Sequence, residues 1–260
     1  MNLDQTMCRV SVLSLNLRFG LADDGPNAWI HRKESVVKLF KKHSPDLIAT
    51  QEANDFQIDF LAQNLSQYSY IGRRRPAPKF WQDNILFYRK TMGCNSDLRL
   101  FLSETPHIPS RSFGSRFPRQ ATLGLFRFNS RSLICINTHL DFENAAQMGA
   151  ARLIKEQLAS YDSEIPTILM GDFNATPEST CYRWFTGQEA DGEDGLDFNE
   201  TFKMPYPSTL HRFTGEPAGG YIDWILYRGP LRLRACEALH QPVDGIFPSD
   251  HFPVTAVFEL

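Results

Sequence analysis

Short apolar runs recur along this chain, separated by helical stretches, and nearly every run stops on a residue able to bind a cation or a phosphate. Residues 12–15 end at Asn16, residues 47–50 at Gln51-Glu52 and residues 133–136 at Asn137-Thr138-His139-Leu140-Asp141. Residues 168–170 end at Gly171-Asp172-Phe173-Asn174, Tyr221-Ile222 runs into Asp223, and Pro248-Ser249-Asp250-His251 directly precedes the final run. Strands hold their end residues rigidly, so ligand sites of layered α/β proteins gather there. One such residue reads as an ordinary turn. A whole series of them points to one converging site. Asp223 is the hardest to read as a turn, because Tyr-Ile-Asp-Trp-Ile-Leu-Tyr is otherwise apolar and an ion buried there needs a partner.

The pattern predicts strands at 10–17, 46–51, 84–88, 122–128, 133–138, 167–170, 221–227, 231–235 and 253–259, and helices at 28–42, 55–65 and 145–159. In the first helix Ile30, Val36, Val37 and Phe40 fall near helical spacing, Asn27 is the expected N-cap and Ser44-Pro45 the stop. The middle of the chain places strands in succession without helices. That excludes a pure doubly wound series and favours mixed sheets with helices outside. With 260 residues, no internal repeat and no low-complexity linker, one domain over 1–260 is expected. The stretches 104–119 and 187–200 read as long loops, which in compact domains are often functional. The acidic part of the second lacks the register of a calcium loop and reads as solvated.

Charge narrows the partners. The net charge is −3, too weak for a non-specific nucleic-acid coat. Yet positions 73–131 carry +9, so the remainder carries −12. One face attracts anions while other regions collect carboxylates. Five widely spaced cysteines without C-x-x-C, the lack of a signal-peptide pattern and the lack of an apolar run long enough for a bilayer lead us to expect a reduced, cytoplasmic protein without a membrane partner. No obligate protein partner is implied.

The chemistry of the strand-end set follows from its donors. Oxygen ligands with few histidines and no cysteine suit a hard cation, Mg2+ or Mn2+, which keeps several waters and takes one or two carboxylates plus substrate phosphate. Glu52 fits the carboxylate role, and Asn16, Asp172, Asn174 and Asp250 complete the shell or orient a water. His139 and His251 can donate to phosphate oxygens or move protons. Asp223 can hold a histidine in its tautomer.

Taken together and in this order, Asn16, Gln51-Glu52, Asn137-Thr138-His139, Gly171-Asp172-Phe173-Asn174, Asp223 and Ser249-Asp250-His251 resemble the endonuclease/exonuclease/phosphatase superfamily over essentially the whole chain. The resemblance implies a four-layer α/β/β/α sandwich of two mixed β-sheets flanked by helices, and Mg2+-dependent hydrolysis of phosphate esters. By the same resemblance Glu52 is the principal metal ligand with Asn16 beside it, and Asp250 is a second metal-site carboxylate. Asp172 handles the attacking water, and Asn174 binds the phosphate and positions Asp172. His251, supported by Asp223, and His139 hold the phosphoryl group. Asn137-Thr138-His139-Leu140-Asp141 replaces the Asn-x-Tyr-x-Pro-Asn motif of apurinic endonucleases, which argues against abasic-site repair. The unpaired cysteines and missing signal argue against the secreted deoxyribonucleases and sphingomyelinases. Asn16-Leu-Arg-Phe-Gly, Gln51-Glu-Ala and Ser103-Glu-Thr-Pro look most like small bacterial stand-alone members near the deadenylase-like branch.

On the substrate side three clusters stand out: Arg73-Arg74-Arg75, then Arg111, Arg116 and Arg119, then His211-Arg212-Phe213. Guanidinium groups match phosphate bidentately, and Phe80, Trp81, Phe113 or Phe213 can stack a base or ring. Arg119 and His211 are the expected substrate contacts. The resulting expectation is a metal-dependent phosphodiesterase or nuclease on RNA or single-stranded nucleic acid. The alternatives are a phosphatase of a nucleotide, sugar or inositol phosphate, and a non-catalytic phosphate-binding module.

Overall fold

The computed structural model describes residues 8–188 and 195–260. The elements run β1 (Arg9–Asn16), α1 (Trp29–His43), β2 (Leu47–Ala53), α2 (Asp55–Asn64), β3 (Tyr68–Ile71), β4 (Asp83–Arg89), β5 (Gly93–Phe101) and β6 (Gln120–Phe128). They continue with β7 (Arg131–His139), α3 (Asn144–Leu158), β8 (Thr167–Asp172), α4 (Thr180–Phe185), β9 (Asn199–Glu200), β10 (Asp223–Arg228), β11 (Arg232–Ala238) and β12 (Val254–Glu259). They form two six-stranded sheets, ordered β11-β12-β1-β2-β4-β3 and β5-β6-β7-β8-β10-β9. Both sheets follow one plan. Each has a central parallel pair, β1 with β2 and β7 with β8, flanked by antiparallel strands. A parallel pair needs a long crossover, and α1 and α3 supply the two.

Strand alternation explains both the layering and the site. Along β1 the odd positions Leu13 and Leu15 pack under α1 and α2 beside Val36, Phe40 and Leu61. The even positions Val10 and Val12 enter the layer between the sheets. Leu47 and Ala49, Leu133 and Cys135, Ile168 and Met170, Ile225, and Val254 and Ala256 face the same layer from the other strands. The outer face of the second sheet, with Ile134, Leu169 and Trp224, packs on α3 and α4. Side chains alternate with period two, so each inward series continues at the strand end into Asn16, Gln51, His139, Asp172 or Asp223. The apolar filling between the sheets therefore gives way to polar groups along one edge of the sandwich.

A bulge in the β2–β4 ladder between Thr50 and Ala53 marks where this happens on β2. Gln51 Nε2 donates to Asn137 Oδ1 at 2.7 Å and to Ser14 Oγ at 3.1 Å, while Asn137 Nδ2 donates to the carbonyls of Thr50 and Ile85, both at 2.9 Å. Asn137 thus crosses from the second sheet to satisfy the first where its ladder opens. Each buried group left unmade costs ~1–3 kcal/mol, so Asn137→Ala, which strands several at once, is expected to lose about 3 kcal/mol in urea denaturation.

Several local expectations are revised. The N-cap of α1 is Ala28 without a side-chain cap, because Asn27 ends a 3-10 turn and its carbonyl accepts from Arg32 Nε instead. The stop is as expected, with Ser44 in the left-handed region at φ 48. The edge strand β5 and the six-residue α4 had not been expected: β5 is largely exposed and polar, and α4 is too short to show a period. In the 187–200 loop, residues 189–194 lie outside the described residues. All five cysteines are free thiols. No described helix is long and apolar enough to cross a membrane.

Candidate active site

Register places the first three groups in a row. His139 of β7 pairs with Asp172 of β8, which pairs with Asp223 of β10. The strands come this close only because residue 171 is glycine. Its φ is 149, and a Cβ there would sit 1.9 Å from the Thr138 carbonyl oxygen. Asn16 and Gln51 pair likewise at the ends of β1 and β2.

Asp172 is the hub. Its Oδ2 accepts from Asn16 Nδ2 at 2.9 Å and its Oδ1 accepts from the Asn174 backbone N–H at 2.9 Å. Burial, then the neighbouring Asp223 charge, push its pKa up to about 6 against the attraction of His251. Asn16 Nδ2 also reaches Glu52 Oε1 at 3.2 Å. The Asn16 amide oxygen accepts from the Arg18 N–H at 2.8 Å, which fixes the amide so that its donor faces both carboxylates. Asn16, expected beside the cation, lies between these two carboxylates and donates to both. Glu52 holds a left-handed backbone at φ 59, a conformation costing ~1–3 kcal/mol for a residue other than glycine. Its carboxylate is tied to the segment after β1 through the Phe19 N–H at 2.6 Å.

His251 Nδ1 meets Asp223 Oδ2 at 2.9 Å and its Nε2 lies 4.0 Å from Asp172 Oδ2. Burial opposes its charge, but Asp223, by charge and by hydrogen bond, raises its pKa to about 10, so it is an imidazolium at neutral pH. His139 is the opposite case. Burial, then Arg119 and His251, hold its pKa well below 6.5, and its Nε2 lies 3.0 Å from Asn174 Nδ2. Its 3.4 Å approach to Asp172 is therefore no ion pair. With Nε2 accepting from Asn174, the proton sits on Nδ1. Asn174, left-handed at φ 49, also donates to the Leu140 carbonyl at 3.0 Å and so fixes His139 against β8.

A cavity of about 410 Å³ opens over these groups, lined by Asp24, Glu52, Asp172 and Asp250 with Asn174, His139, His251, Arg18 and Arg212 among its walls. Asp24 is taken up by Arg18 at 2.9 and 3.0 Å. The other three carboxylates are hard oxygen donors suited to a divalent ion. Ligand atoms of Asp172, Asp223 and His251 also lie within 4.8 Å of one another. Those three would hold an ion only with His251 as a neutral ligand, whereas Glu52 and Asp250 offer carboxylate oxygens to the same cavity.

A second cavity of about 380 Å³ shares Glu52, His139 and Phe142 with the first, and its other walls include Phe19, Phe80, Trp81, Phe117 and Arg119. Its outer wall belongs to the loop expected at 104–119. Asp141 Oδ2 accepts from Ser115 Oγ, Arg116 N and Phe117 N at 2.9, 3.0 and 3.2 Å, and so pins that loop over the site.

Of the arginine clusters, only Arg119 lines this second cavity. Arg73 is spent on Asp55 and Asp59 at 2.8 and 2.5 Å, and Arg116 on Glu143. His211, the other expected substrate contact, lines neither cavity. It stacks on Phe252 with centroids 3.9 Å apart, its Nδ1 accepts from the Gly215 N–H at 3.1 Å, and burial takes its pKa down to about 4. Its neighbours Arg212 and Phe213 line the carboxylate cavity instead, because Arg212 takes a left-handed turn at φ 51.

Two arginines escaped the sequence reading. Arg18 lies 3.8 Å from Asp250 and lines the carboxylate cavity. Arg32, buried in α1, donates to the carbonyls of Leu17 at 2.6 Å and Pro248 at 2.9 Å, tying the segment after β1 to the one before β12. Burial lowers its pKa to about 10, and Asp250 and Asp24 oppose that. Arg18 had a signal, its place in Asn16-Leu-Arg-Phe-Gly. Arg32 had none, since on the buried face of an amphipathic helix only the partners explain it.

Residues 13–251 match the model of the Endonuclease/Exonuclease/phosphatase family. In sequence the chain is 26% identical over 281 residues to Nocturnin of Drosophila melanogaster, covering 89% of this chain and 42% of that protein. The chain spans about half the length of the sequence relatives it matches. Among solved structures it is similar to an endonuclease/exonuclease/phosphatase from Bacteroides vulgatus, with a TM-score of 0.88, 26% identity, and 97% and 99% of the two chains covered. It shares its fold with a mannosyl-6-phosphatase of Bacteroides thetaiotaomicron, with a TM-score of 0.84, 23% identity, and 96% and 99% covered.

Proposed function

Since this chain belongs to the endonuclease/exonuclease/phosphatase family, whose members are divalent-metal-dependent phosphoric ester hydrolases, we propose that it is a phosphoesterase acting as one catalytic domain, using Mg2+ or Mn2+ held by Glu52 and Asp250. The observation that carries this reading is the sharing of one cavity by Glu52, Asp172, Asp250, His139 and His251. An ion held there would supply charge neutralisation to the phosphoryl group in the transition state. Asp172, aimed by Asn16 and Asn174, takes a proton from the attacking water as the water oxygen bonds to phosphorus. With a pKa of about 6 it is a competent base near neutrality. The ester P–O bond breaks on the opposite side, and the departing alcohol oxygen takes a proton from solvent. The His251 imidazolium, kept charged by Asp223, donates to a phosphoryl oxygen. His139, held by Asn174 on the wall of the same cavity, borders the neighbouring oxygen.

The substrate we favour is the end of an RNA or another single-stranded nucleic acid, with its terminal ring in the aromatic cavity. A sequence relative from Vairimorpha ceranae, named as a probable 3'-5'-exoribonuclease subunit, supports that choice. The second reading is a small phosphomonoester, favoured by the engagement of Arg73 and Arg116 in intramolecular ion pairs, which leaves little basic track for a long polyanion. A non-catalytic module is disfavoured because Glu52, Asp172 and His251 are all present and gathered. The deciding experiment sets RNA, single-stranded DNA and small phosphomonoesters side by side with Mg2+, Mn2+ or EDTA. Turnover that needs the metal, abolished by EDTA and restored by excess Mg2+, is expected. Full activity in EDTA rejects the metal role.

A further inference from the structure

Glu52 and Asp250 reach the carboxylate cavity from opposite sides of β1, since β12 and β2 flank that strand in the first sheet. Neither is placed by the sheet itself. The β1–β12 register ends at Ser14 with Val254, and Asp250 lies beyond it. The β1–β2 register ends at Asn16 with Gln51, and Glu52 lies in the bulge that follows. Backbone pairing therefore leaves the spacing of the two carboxylates open, and something else must set it.

Arg32 joins the two segments where the ladders stop. Its Nη1 donates to the Leu17 carbonyl at 2.6 Å and to the Pro248 carbonyl at 2.9 Å. Its Nη2 donates to the Arg18 carbonyl at 3.2 Å and its Nε to the Asn27 carbonyl at 3.0 Å. The same stretch is tied to β2 by its N–H groups: Leu17 donates to the Gln51 carbonyl at 3.0 Å and Phe19 to Glu52 Oε2 at 2.6 Å. Hydrogen bonds thus run from Glu52 through residues 17–19 to Arg32 and on to Pro248, in the segment that carries Asp250. The Trp29 and Phe213 rings flank the guanidinium, with centroids 5.3 and 5.7 Å from its Cζ. The neighbours of Phe213, His211 and Arg212, each donate a backbone N–H to the Asp250 carbonyl at 2.9 Å. Arg32 is only 1% exposed and has no ion-pair partner among the described residues. A buried cation held by carbonyls alone is costly, and the packing of α1 does not require one. A rigid fork of donors is what can fix several carbonyls about one point.

We propose that Arg32 is a positioning residue for the divalent ion: by clamping the Leu17, Arg18 and Pro248 carbonyls it fixes the spacing of Glu52 and Asp250 and so sets how tightly the ion binds. The proposal rests on the phosphoesterase reading, in which those two carboxylates hold the ion. Arg32 touches neither the ion nor the substrate and acts through the backbone of both segments. Its charge works in the opposite sense. Its guanidinium faces Asp250 and Asp24, so a positive charge there weakens the attraction of the site for a cation. Geometry and charge therefore predict opposite outcomes when the charge is removed.

The test titrates Mn2+ into the metal-free protein and follows the free ion by electron paramagnetic resonance, well below each variant's melting midpoint. Wild type, Glu52→Gln, Arg32→Lys and Arg32→Gln are compared. Arg32→Lys keeps the charge and loses the fork; Arg32→Gln loses the charge as well. Both are expected to raise the Mn2+ Kd by about tenfold or more, the usual cost of losing a group that orients metal ligands. The Mg2+ concentration needed for half-maximal turnover should rise in step, with a smaller change in kcat at saturating Mg2+. A Kd within about twofold of wild type in either folded variant overturns the proposal, however far that variant's melting point falls. Tighter binding in Arg32→Gln overturns it too, since charge alone would then explain the residue. If neither variant folds, Arg32 serves the fold alone and the proposal fails. Wild-type Mn2+ binding that Glu52→Gln leaves intact rejects the placement of the ion and the proposal with it. If the Mn2+ affinities respond as expected while no ester is hydrolysed with either metal, the phosphoesterase reading falls and the clamp stands.

Discussion

Asp172→Asn is expected to lower kcat by roughly 10³-fold while the protein melts no lower than wild type. The two halves of the result have one cause. Asp172 is fully buried and its charge is disfavoured first by desolvation and then by Asp223. Removing that charge relieves a cost of burial, so stability is maintained or gained. The same substitution removes the only lone-pair base that Asn16 and Asn174 hold in place at 2.9 Å each. Asparagine can accept only one of those two bonds on its amide oxygen and cannot take the water's proton. Steady-state kinetics with the preferred ester and a thermal melt read both halves. Turnover within tenfold of wild type removes Asp172 from the chemistry. Comparable losses of activity and of folding would make its role structural.

The second large effect is at Asp223, which touches no expected substrate atom. Asp223→Asn is expected to cost about 10³–10⁴-fold in kcat, as removal of the aspartate behind a working histidine does elsewhere. Burial alone would pull the His251 pKa below its ordinary value, and the Asp223 carboxylate 2.9 Å away, with lesser support from Asp172 and Asp250, reverses this to about 10. Without that carboxylate the imidazole loses the largest interaction that keeps it charged, so its pKa falls and it becomes a weaker charged donor. Histidine NMR titration reads this directly: one resonance titrating near pH 10 in the wild type should move to clearly lower pH in the variant. Because the two residues act as a unit, Asp223→Asn combined with His251→Ala should be little worse than His251→Ala alone. Additive losses would mean that Asp223 works through some other contact, and an unmoved histidine titration would mean that it does not set the charge.

Much of this arrangement is legible in the one-dimensional pattern. The apolar alternation of β1, β2, β7, β8 and β10 forecasts which residue of each strand end turns inward, because consecutive Cβ atoms must point to opposite faces. That is why Asn16, His139, Asp172 and Asp223 all reach the same edge. Where expectation and structure part, the missing information is a hydrogen-bond or packing partner, near or far along the chain, or a backbone turn that the packed chain fixes. Asn16 reads equally well as a ligand or a donor until the Arg18 N–H fixes its amide. His211 and Arg212 are neighbours with similar credentials, and only the stacking of His211 on Phe252 leaves the cavity to Arg212. The triple Arg73-Arg74-Arg75 looks like a phosphate clamp until α2 brings Asp55 and Asp59 against Arg73.

The chain alone therefore determined the layered α/β plan, the chemistry of the strand ends and the family they resemble, since these follow from backbone geometry and residue type within a few positions. The charge states of His139 and His251, the turning of Asn16 toward two carboxylates, and the closing of an aromatic cavity by the loop that Asp141 holds were decided only in three dimensions. Each depends on burial and on hydrogen-bond partners 26 to 156 residues distant, and no local pattern encodes which of two polar neighbours will be left facing the cavity once the sheets have packed.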